Sequence, residues 1–344
     1  MMGKMKRLRL VGLHTERDAL LRGIMGLGCV VLRSSPQGHG AMALSKQTDD
    51  LPVWRERLTR LDQALDILQR VAPEKKRLFP KRDEVSEDVL FGCEVTDPAL
   101  ELADHLMAKE VQINQRIARI SQMEAARTAL LPWRDMDMPL DTQGTEHVAV
   151  LFGTMLRTVV LSKLEASLSA EAPAAVLYQV GRSGEELRLM LICHRAELTA
   201  AEAVLKAAGF TRTIFTETDT PAAEIDRLSN EMAEAQAEIT AIQEELTHLA
   251  DKRPVLKLCA DRLALEVIRE EAKEKLLVSE STFVLEGWLP ARQEAALGAL
   301  LDEFTCAWEI RDPSPEEYKG KSRGVRPLAM ETKYHEVTNG RESR

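Results

Sequence analysis

Aromatic side chains are scarce in this chain: Phe, Trp and Tyr make up 4% of its 344 residues, although 44% of the residues are hydrophobic. With so few rings and so many Leu, Ala, Glu and Arg, the composition favours long helices over a large globular core. Long apolar runs are missing as well. The longest, residues 148–161, is interrupted by Arg157 and falls short of the ~20 apolar residues that cross a bilayer. The basic N-terminus is followed by Glu16, Arg17, Asp18 and Arg22, which leaves no room for the apolar stretch of a signal peptide. The expectation is a soluble, cytoplasmic chain. Cysteine is sparse: Cys29, Cys93, Cys193, Cys259 and Cys306 lie far apart without a CxxC, the pattern of reduced and mostly buried thiols. Positive charge is in deficit, with a net charge of −9, so bulk attraction to nucleic acid or to an anionic membrane is not expected. The basic clusters at residues 4–9 and 75–82 read as solvated surface and strand flanks.

The signatures of chemistry are missing too. There is no GxxxxGK[ST], and no two of the seven histidines stand at HxH or HxxxH spacing, so a metal site would need long-range convergence. Gly23, Gly26 and Gly28 form a GxxGxG, but it ends a helix instead of opening one, the reverse of a phosphate-binding loop. His105 and His248 fall on helical heptads and read as solvated. No catalytic residue, cofactor or metal is expected.

What is present is periodicity. Ile225, Leu228, Met232, Ala235, Ile239, Ile242, Leu246 and Leu249 repeat at three- and four-residue spacing, and Leu256, Ala260, Leu263 and Val267 resume it after Arg253-Pro254. Such a repeat predicts a helix that needs a partner along its length. A helix over residues 221–279 would measure about 85 Å at ~1.5 Å per residue. Pro254 predicts a bend within it. Two earlier runs supply antiparallel partners: Leu51, Trp54, Leu58, Leu61, Leu65 and Leu68, then Leu102, Leu106, Ile113, Ile117, Ile120 and Met123 after Pro98.

Between the helical runs, residues 146–218 read as β-α-β-β-α-β. A strand at 147–152 and a helix at 154–168 lead to two strands at 174–180 and 186–193, joined by a turn at residues 181–184. A helix at 198–208, ended by Gly209, precedes a last strand. This is the split β-α-β, ferredoxin-like order. Residues 5–12 form a strand, followed by a helix with Thr15 as expected N-cap and Gly28 as its stop, then a strand at 29–32. A second β-α-β covers residues 282–311. In its LEGWLP segment, Gly287 predicts close backbone approach beside a strand exit anchored by a buried Trp288. Neither two-stranded unit can bury itself, so the two chain ends are expected to pair into one lobe. The predicted class is α+β: an elongated dumbbell of two ferredoxin-like lobes joined by a long antiparallel coiled coil. Its expected parts are a proximal lobe (1–36 with 281–313), ascending helices (37–144), a distal lobe (145–219), a descending helix (220–280) and a polar tail (314–344).

KMKRLRLVGL near the N-terminus, the short helix into LGCVVL, and above all FVLEGWLP at residues 283–290 resemble the cytoplasmic N-terminal half of subunit I (subunit a) of rotary V/A-type ATPases, over residues 5–315. The resemblance implies a stator arm beside the rotor of a proton- or sodium-translocating motor, at the cytoplasmic face of the membrane. Implied partners are the peripheral-stalk heterodimers, a central-stalk or rotor-cap subunit, and the membrane domain of the same subunit; nucleic acid is not among them. The family continues through membrane helices with an essential arginine. Here residues 313–344 are polar, with Val325 to Leu328 echoing the junction, so this stretch is expected to carry no ions itself. It carries over no partner-binding residue, because the matched motifs are strands. Against this stand two other readings. One is an unrelated coiled-coil scaffold, disfavoured by the acidic balance and the missing nucleotide motif. The other is an enzyme or sensor with a ligand site at the 181–184 turn, where only Arg182 and Ser183 are available.

Overall fold

The computed structural model describes residues 4–33, 43–44, 50–74, 82–92, 96–313, 327–330 and 332–338. In chain order the elements are β1 (Met5–Leu13), α1 (Arg17–Leu27), β2 (Val31–Leu32), β3 (Ala43–Leu44), α2 (Asp50–Val71), β4 (Asp83–Ser86), α3 (Glu87–Phe91) and α4 (Thr96–Leu130). There follow β5 (Val148–Leu156), α5 (Leu161–Glu171), β6 (Val176–Ser183), β7 (Glu186–His194), α6 (Leu198–Ala207), β8 (Thr211–Thr213) and α7 (Pro221–Leu249). The last are α8 (Arg253–Lys273), β9 (Leu277–Val278), β10 (Thr282–Pro290), α9 (Glu294–Leu301), β11 (Cys306–Arg311) and β12 (His335–Thr338). The chain divides into two compact units, residues 1–110 with 244–344, and residues 111–243. Both boundaries fall inside helices, α4 and α7.

In the first unit the two chain ends pair. β1 lies antiparallel to β10 over nine residues, from Met5 opposite Pro290 to Leu13 opposite Thr282. β11 flanks β1, and β2 joins the far edge of β10 at Gly287 and Trp288. β9 and β3 extend that edge further along. The inner order β11-β1-β10-β2 interleaves two β-α-β units, because each crossover pair of strands holds a strand of the other unit between them. Alternation on β1 sends Leu8 and Leu10 inward, where they meet Leu21 and Ile24 of α1, Phe283 and Leu285 of β10, and Leu297 and Leu301 of α9. Every one of these is buried. Gly28 ends α1 at φ 60° with its N–H on the carbonyls of Ile24 and Met25, a left-handed stop that glycine adopts without penalty.

The second unit has the predicted split β-α-β sheet, in the order β6-β7-β5-β8 with every neighbour antiparallel. β5 is buried on both faces. Ala149, Leu151 and Met155 pack on α5 and α6 through Leu164, Leu168 and Leu205. Val150 and Phe152 face the other way, toward Trp133, Met123, Ile225 and Leu228. Trp133 stands edge-on to Phe152 at 6.2 Å and to Phe215 at 5.2 Å, a favoured aromatic geometry.

Several expectations are corrected. The helix expected over 221–279 is two helices: α7 ends at Leu249, a 3-10 turn spans Ala250–Lys252, and α8 starts at Arg253 and ends at Lys273. Pro254 sits in the first turn of α8, where its missing N–H costs no hydrogen bond, so it opens a helix instead of bending one. Thr15 is no N-cap. It lies in a 3-10 turn, and α1 begins at Arg17 without a side-chain cap. The helix expected at 154–168 starts later, at Leu161, because β5 continues to Leu156. The acidic stretch 83–88 and the polar tail both hold strands, with β4 and β12 pairing in parallel. Trp288 is half-buried, with the Arg7 guanidinium 5.8 Å from its ring centre. Cys93, the basic run 75–81, most of the 34–50 loop, and Val325 and Arg326 lie outside the described residues.

Gly287 meets the close approach its position predicts: a Cβ there would stand 2.8 Å from the Val31 carbonyl oxygen. Gly287→Ala is therefore expected to push β2 off β10 and cost about 1–3 kcal/mol, read as a lower denaturation midpoint at unchanged slope.

Candidate functional site

Among the described residues no three His, Cys, Asp or Glu side chains gather as a metal site, and no helix is long and apolar enough to cross a membrane. The features that stand out are helix seams and the charges along them. In the first unit α2 runs antiparallel to α8. Leu61, Leu65 and Leu68 are buried on α2, as are Leu256, Cys259, Ala260 and Leu263 on α8, while Leu58 is half-buried. Arg55 reaches Glu271 at 2.7 Å near one end, and Lys257 holds both oxygens of Glu74 at 2.8 Å near the other. Arg253 is buried and donates to the carbonyls of Leu68 and Ala72, which closes the open C-terminus of α2. Arg60 and Arg70 tie α2 to α4 through Asp104 and Glu110. Lys109 and His105 of α4 meet Glu245 of α7 at 2.6 and 3.1 Å. Leu246 is fully buried here and Leu249 half-buried.

In the second unit α4 and α7 also lie antiparallel. Arg116 pairs with Glu238 and Arg119 with Glu231, so the register falls on one helix as it rises on the other. Ile225, Leu228, Ile239 and Ile242 are buried. Ile120 and Met232 are half-buried against the same core that holds Met123, and Ile113 is half-buried. Ile117 departs from the seam: it is 51% exposed and lines a shallow depression with Ser121, Ala125 and Thr128. Three- and four-residue spacing marks more than one possible stripe on a helix this long, and spacing alone does not say which positions are covered.

Ionisation follows the pairs. The Lys257 hydrogen bonds hold the Glu74 carboxyl below its usual range, and Lys109 with His105 does the same for Glu245. Burial pushes the thiols of Cys29, Cys193 and Cys306 up, so these are quiet packing residues. Cys259 is buried as well. Glu286 of the LEGWLP segment receives Arg7 at 2.8 Å and lies 3.7 Å from Arg9, a cross-strand pairing that fixes register. In the 181–184 turn, Gly184 takes φ 58°, as a tight hairpin requires. His248 is exposed.

Sequence reasoning passed over Arg253 and Asp261 as functional positions, although both are buried polar residues on α8. The signal was there in each case: an arginine directly before the proline that opens a helix, and an aspartate beside the apolar stripe.

The architecture is thus of the α+β class, with a split β-α-β sheet in each unit. Among solved structures, the chain is similar to the crystal structure of the cytoplasmic N-terminal domain of subunit I, homolog of subunit a, of V-ATPase. The two are 18% identical, with a TM-score of 0.39, over 89% of this chain and 99% of that one. A likeness of that size carries no functional argument. No family model and no curated protein matches the chain.

Two outcomes test the seams. Ile239→Asp with Ile242→Asp places two carboxylates in buried positions, and a loss of roughly 3–5 kcal/mol is expected in chemical denaturation. For Glu74 the sign follows from its lowered value: its pairing stabilises the fold above the ordinary carboxylate range and is lost as pH falls through the folded value. Glu74→Gln should lower Tm by a near-constant amount at neutral and higher pH, and the difference from the wild type should vanish as pH falls through the carboxylate range, which flattens the acid limb.

Proposed function

We propose that this chain is the cytoplasmic arm of a subunit I (subunit a) type protein in a rotary V/A-type ATPase, acting as a stator that links peripheral-stalk subunits to the membrane sector. The observation that carries it is the β1–β10 ladder. The two segments behind the sequence resemblance, MKRLRLVGL and TFVLEGWLP, are paired residue for residue at the centre of one sheet, although some 270 residues separate them. The arm is read as mechanical, without a catalytic role, cofactor or ion pathway of its own. Rotation of a motor is useful only when its catalytic head is held still against its membrane part. Helix pairs with buried apolar seams and flanking Arg–Glu bridges resist bending and suit that task. The coiled coil joining two lobes, the dumbbell outline with the part boundaries given above, and the seam formed by Ile225, Leu228, Met232, Ile239, Ile242, Leu246 and Leu249 with Leu58, Leu61, Leu65, Ile113 and Ile120 belong to this reading. So do the peripheral-stalk heterodimers as partners, a rotor-cap subunit as a further contact, and a place at the cytoplasmic face of the membrane.

Calorimetric titration of the chain against the purified peripheral-stalk heterodimer from the same source, with native mass spectrometry for stoichiometry, tests the proposal. Saturable binding at a defined ratio is expected. A folded chain that shows no heat and no complex with the heterodimer overturns the stator reading and favours an unrelated helical scaffold.

A further inference from the structure

Among the described residues, the deepest carboxylate of the first unit is not paired with a cation from a neighbouring helix. Asp261, on α8, is fully buried and is satisfied by the backbone of one short segment near the C-terminal end. Its Oδ1 accepts the N–H of Lys333 at 2.8 Å, and both oxygens accept the N–H of Tyr334 at 3.1 Å. Its Oδ2 accepts the N–H of His335 at 2.8 Å and lies 2.9 Å from the same residue's Nδ1. Three successive amides converging on one carboxylate form a nest of charge-assisted hydrogen bonds, roughly twice as strong as neutral ones.

The same segment is held from two further sides. Asp62 of α2 receives Lys333 Nζ at 2.8 Å and the Tyr334 hydroxyl at 3.1 Å. Arg82, just before β4, donates to the Thr332 carbonyl at 2.8 Å, and β12 continues from the nest as the parallel partner of β4. Upstream, Leu328 donates to the Val30 carbonyl at 2.6 Å and Met330 to that of Met25 at 3.1 Å, while Leu328, Met330 and Val337 pack on the core of the sheet.

We propose that residues 332–338 are a strap that locks α2 against α8, and that Asp261 is its latch. The segment is the one piece of described chain bonded to α2, to α8 and to β4 together. Its release is local by construction. When the strap lifts, Asp261 gains water in place of amides, so opening leaves no stranded charge in an apolar core, and the β1–β10 sheet keeps its own pairing. This device does not depend on the stator reading.

Hydrogen–deuterium exchange on the whole chain tests it, with each variant compared with the wild type. In Asp261→Asn, amides 333–338 are expected to exchange ~10-fold faster or more, since bonds to a charged acceptor are lost. Amides of α2 around Asp62 should follow, while those of β1 and β10 stay within about twofold, the scatter allowed for distant sites. Tyr334→Pro keeps Asp261 and removes one N–H of the nest together with the hydroxyl bond to Asp62; it should release the remaining amides of the segment with the same pattern. Unchanged protection of 333–338 in both variants overturns the latch, as does release that leaves α2 protection at its wild-type level. If Asp261→Asn unfolds the chain, Tyr334→Pro decides alone.

Discussion

The antiparallel ladder between β1 and β10 is the contact on which the rest of the first unit depends. It joins residues 5–13 to residues 282–290, so its closure spans nearly the whole described chain and carries an entropy cost that local pairings do not. Neither terminal β-α-β unit could survive without it, since two strands and one helix leave a sheet face uncovered. Once β1 and β10 are side by side, both crossover helices, α1 and α9, fall on the same face. Leu21 and Leu297 then share one core. The strand edge left on β10 is used twice along its length, by β2 at Gly287 and by β9 at Phe283. Gly287 is the residue that lets the first of these come close.

Helix ends carry a second constraint. A helix that stops inside a packed unit leaves carbonyls or amides without partners, and here charged side chains do the capping. Arg253 closes the C-terminus of α2 from the first turn of α8, which also sets how the two helices overlap along their axes. Glu74, just past this same end of α2, is caught by Lys257 one turn further along α8. These contacts place the start of α8 opposite the end of α2, and the 3-10 turn at Ala250–Lys252 is the adjustment that permits it.

What could be read from the sequence was whatever repeats. Alternation in MKRLRLVG, the heptads of α2, α4 and α7, and the β-α-β-β-α-β order of residues 146–218 all arise from faces buried along a whole element. A burial pattern of that kind is written many times over. Events at one residue were not legible. The break near residue 250 leaves the apolar spacing on either side intact, so periodicity passed straight across it. Ile117 fits a heptad and yet faces out, because a 35-residue helix carries more apolar positions than its partners cover at every level. Trp288 was expected as a buried anchor of the strand exit, but its place on the strand is opposite to that of Phe283, Leu285 and Leu289, and Arg7 lies over it from the neighbouring strand. In the candidate seams, the buried leucines and isoleucines were visible, and the arginines that end or bridge helices were not.

The strands β4 and β12 show why polar composition misleads at a chain's end. DEVS and HEVT hold one valine each, too few to register as strands by pattern. Their pairing is parallel, so nothing local, neither a hairpin turn nor a short loop, could announce it. What fixes them is Asp261, about 70 residues before β12 in sequence and directly beneath it in space. A carboxylate with three amides at hand needs no apolar alternation to define the path of a backbone. It defines that path by where the N–H groups must point, and Leu328 and Val337 then find the core from either side of it. The segment thus combines hydrogen bonds to one carboxylate with apolar anchors on either side, whereas β1 and β10 are marked by apolar alternation. A buried polar residue beside an apolar stripe is thus the most useful mark, in a chain of this kind, of a contact that periodicity cannot reveal.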